Sequence, residues 1–252
     1  MMDGVFFTKP RRRKLPPTPE PHLYRAFLTH VFNFPMGSYY SANWNWDEEI
    51  KDDPYHEIAD NSPVEVVNLY LHLLPRMGTD LATFSIEQVA TGIHYLFSPY
   101  GIEWVLFDRA VALEDRCAVI RAMSYVYDDV FDHRCARVMS HLDPPGENTM
   151  NSICYMLWDV SSLSHFRVDG RLSPSVRTEA MPEAEAVFSV IEGALYSENI
   201  ASVESGLHGL GHMASDWPKE VEAIIDLYQR RRPNHDPRLL HYADLARVGL
   251  VQ

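Results

Sequence analysis

The chain has 252 residues, 46% of them hydrophobic and 23% charged, a composition that supports one sizeable core or a stack of repeats. Its formal net charge of −13 is uneven: residues 1–25 carry six basic and two acidic groups, leaving 16 basic against 33 acidic, a net −17, in the rest. A body that acidic repels phosphate backbones and anionic lipid, which excludes nucleic-acid binding through the main domain and makes a basic protein the expected partner.

In chain order, residues 1–21 read as a basic, Pro-rich arm. Lys9, Arg11, Arg12, Arg13 and Lys14 are followed by Pro16, Pro17, Pro19 and Pro21, where a secretion signal would need an apolar run. The arm is expected to be extended and solvated. Residues 22–252 are expected to form a single all-α domain. Within it, residues 35–61 form a predicted loop rich in aromatic and acidic types. Trp44, Trp46, Asp47, Glu48, Glu49, Asp52 and Asp53 are its candidate partner-binding residues. Aromatics supply contact area at low rotamer cost, and clustered carboxylates complement Lys and Arg.

Helical periodicity with legible caps follows. Ser62-Pro63-Val64-Glu65 reads as a capping box with proline in the first turn, and Val64, Val67, Leu71 and Leu74 form one stripe before Pro75. Ser85 and Gln88 repeat the box ahead of Ile86, Val89, Ile93 and Leu96. Leu113, Cys117, Ile120, Tyr127 and Phe131 form a third stripe, and Met150, Ile153 and Leu157 a fourth after Asn148. A polar stretch over 165–181 is predicted as a second loop, with the next helix opening at Pro182. That helix places Ala184, Val187, Phe188, Ile191 and Leu195 on one side. A break at 197–199 leads to a helix carrying Val203, Leu207, Leu210 and Ala214. A third starts at Pro218 and ends at Arg230, Arg231 and Arg232, charges that suit a helix C-terminus.

The glycine-rich string from Gly206 to His212, the turn, Pro218 and the apolar run 221–227 resemble a HEAT-type repeat. The resemblance is specific over about residues 183–232, and implies an α-α superhelix of antiparallel helix pairs with a concave protein-binding surface. It implies no catalytic residues. The cysteines Cys117, Cys135 and Cys154 have no CxxC spacing and read as reduced thiols of a cytoplasmic protein. No run approaches the 18 apolar residues of a membrane span.

Two motifs carry possible chemistry. Asp128-Asp129-Val130-Phe131-Asp132 is similar to the DDxxD motif of class I terpenoid synthases, which implies Mg²⁺ bridging a substrate diphosphate. The second metal motif of those enzymes is not found downstream, and a solvated acidic face is the competing reading. Glu204, His208 and His212 lie four apart on one helical face and offer three ligands to zinc or another divalent ion. Against this, Gly206, Gly209 and Gly211 cost the helix roughly 2–3 kcal/mol of propensity, which implies an unusually close helix–helix seam, and His208 and His212 are expected to pack there as structural residues and not as ligands. The expectation is a non-catalytic cytoplasmic interaction scaffold or inhibitor, of immunity type in its concrete form, with no cofactor. A Mg²⁺-dependent all-α enzyme using Asp128, Asp129 and Asp132 is the alternative.

Overall fold

The computed structural model describes residues 4–7, 18–33, 54–164 apart from 107, 109, 144, 145 and 147, and 174–251. The acidic-aromatic residues Trp44, Trp46, Asp47, Glu48, Glu49, Asp52 and Asp53 lie outside that range, as does the basic run 11–14. Among the described residues the architecture is all-helical and contains no strand. The principal helices are α1 (Pro21–Phe32), α2 (Pro54–Asn61), α3 (Pro63–Leu73), α4 (Ile86–Phe97), α5 (Leu113–Ala122), α6 (Thr149–Val160), α7 (Pro174–Ala194), α8 (Ile200–Met213), α9 (Pro218–Arg231) and α10 (Pro237–Arg247).

Local chemistry sets several of these boundaries. The Ser85 hydroxyl accepts from the Gln88 N–H at 3.2 Å while the Gln88 side chain accepts from the Ser85 N–H at 3.0 Å, a complete capping box at the start of α4. Asn148 and Asn199 cap α6 and α8 through the N–H groups of Met150 and Ala201. Ser62 holds the cap position of α3 but its hydroxyl makes no capping bond, and Pro63 begins the helix instead. Residues 54–61, expected within a loop, form α2. The helix expected to open at Pro182 starts at Pro174 and carries Pro182 in its interior. A proline there removes one backbone hydrogen bond. Burial of Ala184, Ala186, Val187, Phe188, Val190 and Ile191 just beyond it keeps the segment helical.

The organising element is α8. All but two of its positions are buried, because α6, α7, α9 and α10 all pack against it. Its glycines make these approaches possible. A Cβ at Gly206 would stand 3.0 Å from the Ile191 carbonyl oxygen on α7, one at Gly209 2.7 Å from the Trp158 ring on α6, and one at Gly211 2.4 Å from Val251. Away from this centre, α4 packs on α1 and α6, and α5 packs on α3 and α7.

Residues 4–7 are docked on the body of the protein, with the Val5 side chain exposed and Gly4, Phe6 and Phe7 half-buried. They run against α7, where the N–H groups of Val5, Phe6 and Phe7 donate to the Glu192 carboxylate at 2.7–2.8 Å. The Phe6 ring stacks on Phe188 at 5.2 Å. Two aromatic side chains and three backbone donors give this end of the arm more to bury than its basic, Pro-rich middle has.

Candidate functional site

The stripe Glu204, His208 and His212 faces a polar seam between α6, α8 and α10, and the structure divides its three members between two clusters. Glu204 is fully buried and turns away from the histidines. Its carboxylate accepts from the Ser140 N–H at 2.5 Å and the His141 N–H at 3.3 Å, and contacts the His141 ring nitrogen Nδ1. It is fully engaged in holding the 140–141 turn onto α8. The ligand set expected from the sequence is corrected accordingly: Glu204 does not join His208 and His212.

Asp159 takes its place. Near the C-terminus of α6, it brings Oδ2 to 2.7 Å from His208 Nε2 and Oδ1 to 3.2 Å from His212 Nε2, while the two Nε2 atoms stand 3.0 Å apart. Among the described residues, these three form the group of His, Cys, Asp or Glu whose donor atoms all lie within 4.8 Å of one another. Burial alone would raise the Asp159 carboxyl. The hydrogen bonds from His208 and His212 outweigh it and hold the group well below the usual carboxylate range.

Behind the cluster lies an aromatic shell. His208 Nδ1 is 2.7 Å from the Tyr242 hydroxyl, which in turn is 3.1 Å from the Tyr155 hydroxyl. Burial, reinforced by the hydrogen bond between them, pushes the Tyr242 phenol up, so it remains a neutral hydroxyl. His141 stacks on Tyr242 at 4.5 Å and joins the two halves of the seam. Tyr242, Tyr155 and Asp159 have no local sequence signature. They lie 34, 53 and 49 residues from His208, and only the packing of α6 and α10 on α8 brings them together.

The three aspartates of the DDxxD-like string do not converge. Tyr127–Phe131 is a π-helical turn in which the Asp132 N–H donates to the Tyr127 carbonyl, and this wider winding takes Asp128 and Asp132 out of the stacked i, i+4 relation. Asp132 accepts from the hydroxyls of Ser197 and Ser202, both at 2.6 Å, and so ties this turn to the start of α8. Asp129 lies beside Gly78, where burial raises its carboxyl. Asp128 is exposed.

A second site surrounds Glu192, on the side of α7 that receives residues 4–7. This carboxylate is only 1% exposed, yet its partners are three successive backbone N–H groups of the arm and, at 3.4 Å, the Tyr196 hydroxyl. Phe7 packs at 5.6 Å from the Tyr196 ring, and Arg231 donates to the Tyr196 hydroxyl at 2.6 Å. A Cβ at position 4 would approach Glu192 Oε1 to 2.5 Å, so the docked conformation requires Gly4. Next to it a shallow cleft is lined by Glu192, Leu195, Tyr196, Ile224, Tyr228 and Arg231. The sequence does carry a hint of this site: Glu192 falls among Phe188, Ile191 and Leu195 on the apolar face of its helix.

The chain matches no protein-family model, no curated protein and no solved structure.

Proposed function

We propose that this is a non-catalytic interaction protein that grips an extended segment of a basic partner at Glu192. The observation that carries the reading is the seating of residues 4–7 on α7: a buried carboxylate reads three successive backbone N–H groups, and an aromatic wall receives the side chains beside them. Recognition through backbone donors and aromatic packing is a general way to hold a peptide. The segment that occupies the site has a small residue and two aromatics, the basic run 11–14 follows it in sequence, and the chain beyond residue 25 carries a net −17. A partner of the same chemistry, a Gly-x-aromatic-aromatic segment followed by Lys and Arg, would compete with it. The acidic residues Asp47, Glu48, Glu49, Asp52 and Asp53, with Trp44 and Trp46, are the proposed contacts for the rest of that basic partner.

The α8–α9 pair, two helices joined by residues 214–217 with glycines on the first, supports the HEAT-type reading of this region. An immunity-type inhibitor of a basic toxin, acting in the cytoplasm, is the concrete form we favour.

The test is a calorimetric titration of a synthetic peptide of residues 4–14 into the full chain and into its G4L variant. In the unaltered chain the tethered arm competes at an effective concentration on the order of millimolar. In G4L the arm cannot seat, so the peptide binds G4L at least tenfold more tightly than the unaltered chain, and the further change E192A removes that binding. Absence of peptide binding to folded G4L would overturn the proposal.

A further inference from the structure

We propose that Asp159, His208 and His212 form a binding site for one divalent transition-metal ion of the Zn²⁺, Co²⁺ or Fe²⁺ kind, held on one face with its remaining positions open to solvent.

The argument starts from donor separations. At metal–donor bonds of about 2.0–2.2 Å, two donors at right angles stand about 3.0 Å apart and two at the tetrahedral angle about 3.4 Å. The three edges of this cluster are 2.7, 3.0 and 3.2 Å. They enclose one triangular face of a coordination sphere, with movements of a few tenths of an ångström needed to receive an ion. Two imidazoles and one carboxylate are a donor set for borderline cations, not for Mg²⁺ or Ca²⁺, which take oxygen.

Proton bookkeeping points the same way. Both histidines present Nε2 to the cluster, and His208 Nε2 faces the carboxylate and the second imidazole at once. One N–H cannot point along both directions, so a metal-free cluster leaves at least one of these short contacts poorly served. An ion between them accepts a lone pair from each of the three groups. His208 then carries its proton on Nδ1 and donates it to the Tyr242 oxygen, the outer-shell bond that fixes a ligating imidazole.

Rigidity and access are also provided. His208 and His212 are one turn apart on α8, and Asp159 is presented by α6, which packs directly on it, so no chain movement is needed to assemble the donors. The side chains grade outward, with His208 2%, His212 20% and Asp159 29% exposed. An ion reaches the site from the Asp159 and His212 side, and the same side leaves room for water as further ligands. This inference does not depend on the Glu192 site.

The experiment titrates Zn²⁺ into chelator-treated, full-length protein by calorimetry, with Co²⁺ absorption as an independent reading of imidazole ligation. One ion per chain is expected, with a dissociation constant in the micromolar range or below. D159N and H212A, both at part-exposed positions, weaken it at least tenfold. Y242F, which keeps all three donors, weakens it about tenfold to a hundredfold. H133A, at an exposed position outside the seam, leaves it unchanged, and millimolar Mg²⁺ does not compete. The absence of saturable Zn²⁺ binding to the unaltered chain would overturn the proposal. So would undiminished affinity in either D159N or H212A, provided that its metal-free melting curve shows it folded.

Discussion

Replacing Gly209 by alanine tests whether α8 is held as closely as the packing requires. The added methyl would fall 2.7 Å from Trp158 Cδ1 and 2.9 Å from both Cγ and Nε1, where carbon atoms normally stand about 3.5–4.0 Å apart. The indole cannot swing aside cheaply, since it is fully buried and its Nε1–H donates to the Tyr127 hydroxyl at 2.9 Å. That hydroxyl lies 2.8 Å from Ser205 Oγ, whose own proton goes to the Cys154 carbonyl, so moving the ring disturbs a chain of buried bonds. In an open helix Gly→Ala stabilises by about 1 kcal/mol. Here overpacking costs about 1–3 kcal/mol and a strained buried hydrogen bond about another 1 kcal/mol. The net expectation is a loss of about 1–3 kcal/mol, or a melting midpoint lowered by about 2–12 °C at this chain length. Thermal denaturation followed by far-UV circular dichroism measures it, with G78A as the control because a Cβ there meets Asp129 at an ordinary 3.4 Å. If G209A melts at or above the unaltered chain, the close α6–α8 contact is wrong.

Three further outcomes are expected. E204A leaves the Ser140 and His141 N–H groups facing a buried void and destabilises by about 3 kcal/mol in urea titration; a loss of less than about 0.5 kcal/mol, the range of surface substitutions, would remove Glu204 from its anchoring role. Burial holds His94 below its ordinary 6.5, and burial followed by Arg232 does the same for His235, so the folded chain takes up fewer protons there than the unfolded one. That stability is present above pH 6.5 and lost as pH falls below it, so the urea midpoint declines from pH 7 to pH 5 and declines less in H94Q. G206A, whose methyl would meet the Ile191 carbonyl oxygen at 3.0 Å, moves α8 off α7 and lowers hydrogen-exchange protection on both helices, an effect that G78A does not share.

The parts legible in the sequence are those written locally. Ser85 and Gln88 lie three residues apart and specify their helix start whatever surrounds them; the glycines of α8 advertise close approach because nothing else explains their cost. Pro182 misleads for the opposite reason, since proline is a local signal and the buried residues after it belong to tertiary packing. The histidine pair is legible as a stripe on one helical face, but the acidic residue that joins it is not. Spacing of four puts Glu204 on the same face as His208, yet a long helix presents successive turns to different neighbours. Glu204 meets the 140–141 turn, whereas His208 and His212 meet α6. No periodicity could have chosen Asp159, which is brought in by the packing of one helix on another.

Glu204 and Glu192 illustrate one way in which this acidic chain tolerates carboxylates in its interior. Both are essentially buried, and each accepts backbone N–H groups from a segment that is not a helix: the 140–141 turn for Glu204, residues 4–7 for Glu192. A buried carboxylate without such donors would cost several kcal/mol, and a docked backbone segment without an acceptor would leave its N–H groups unsatisfied. Each side of the pair therefore supplies what the other lacks. The consequence differs between the two sites because the donors differ in how they are tethered. The turn is fixed at both ends by helices and cannot leave. Residues 4–7 are joined to α1 through thirteen further residues, so their seat on Glu192 is the one that a competing segment can take.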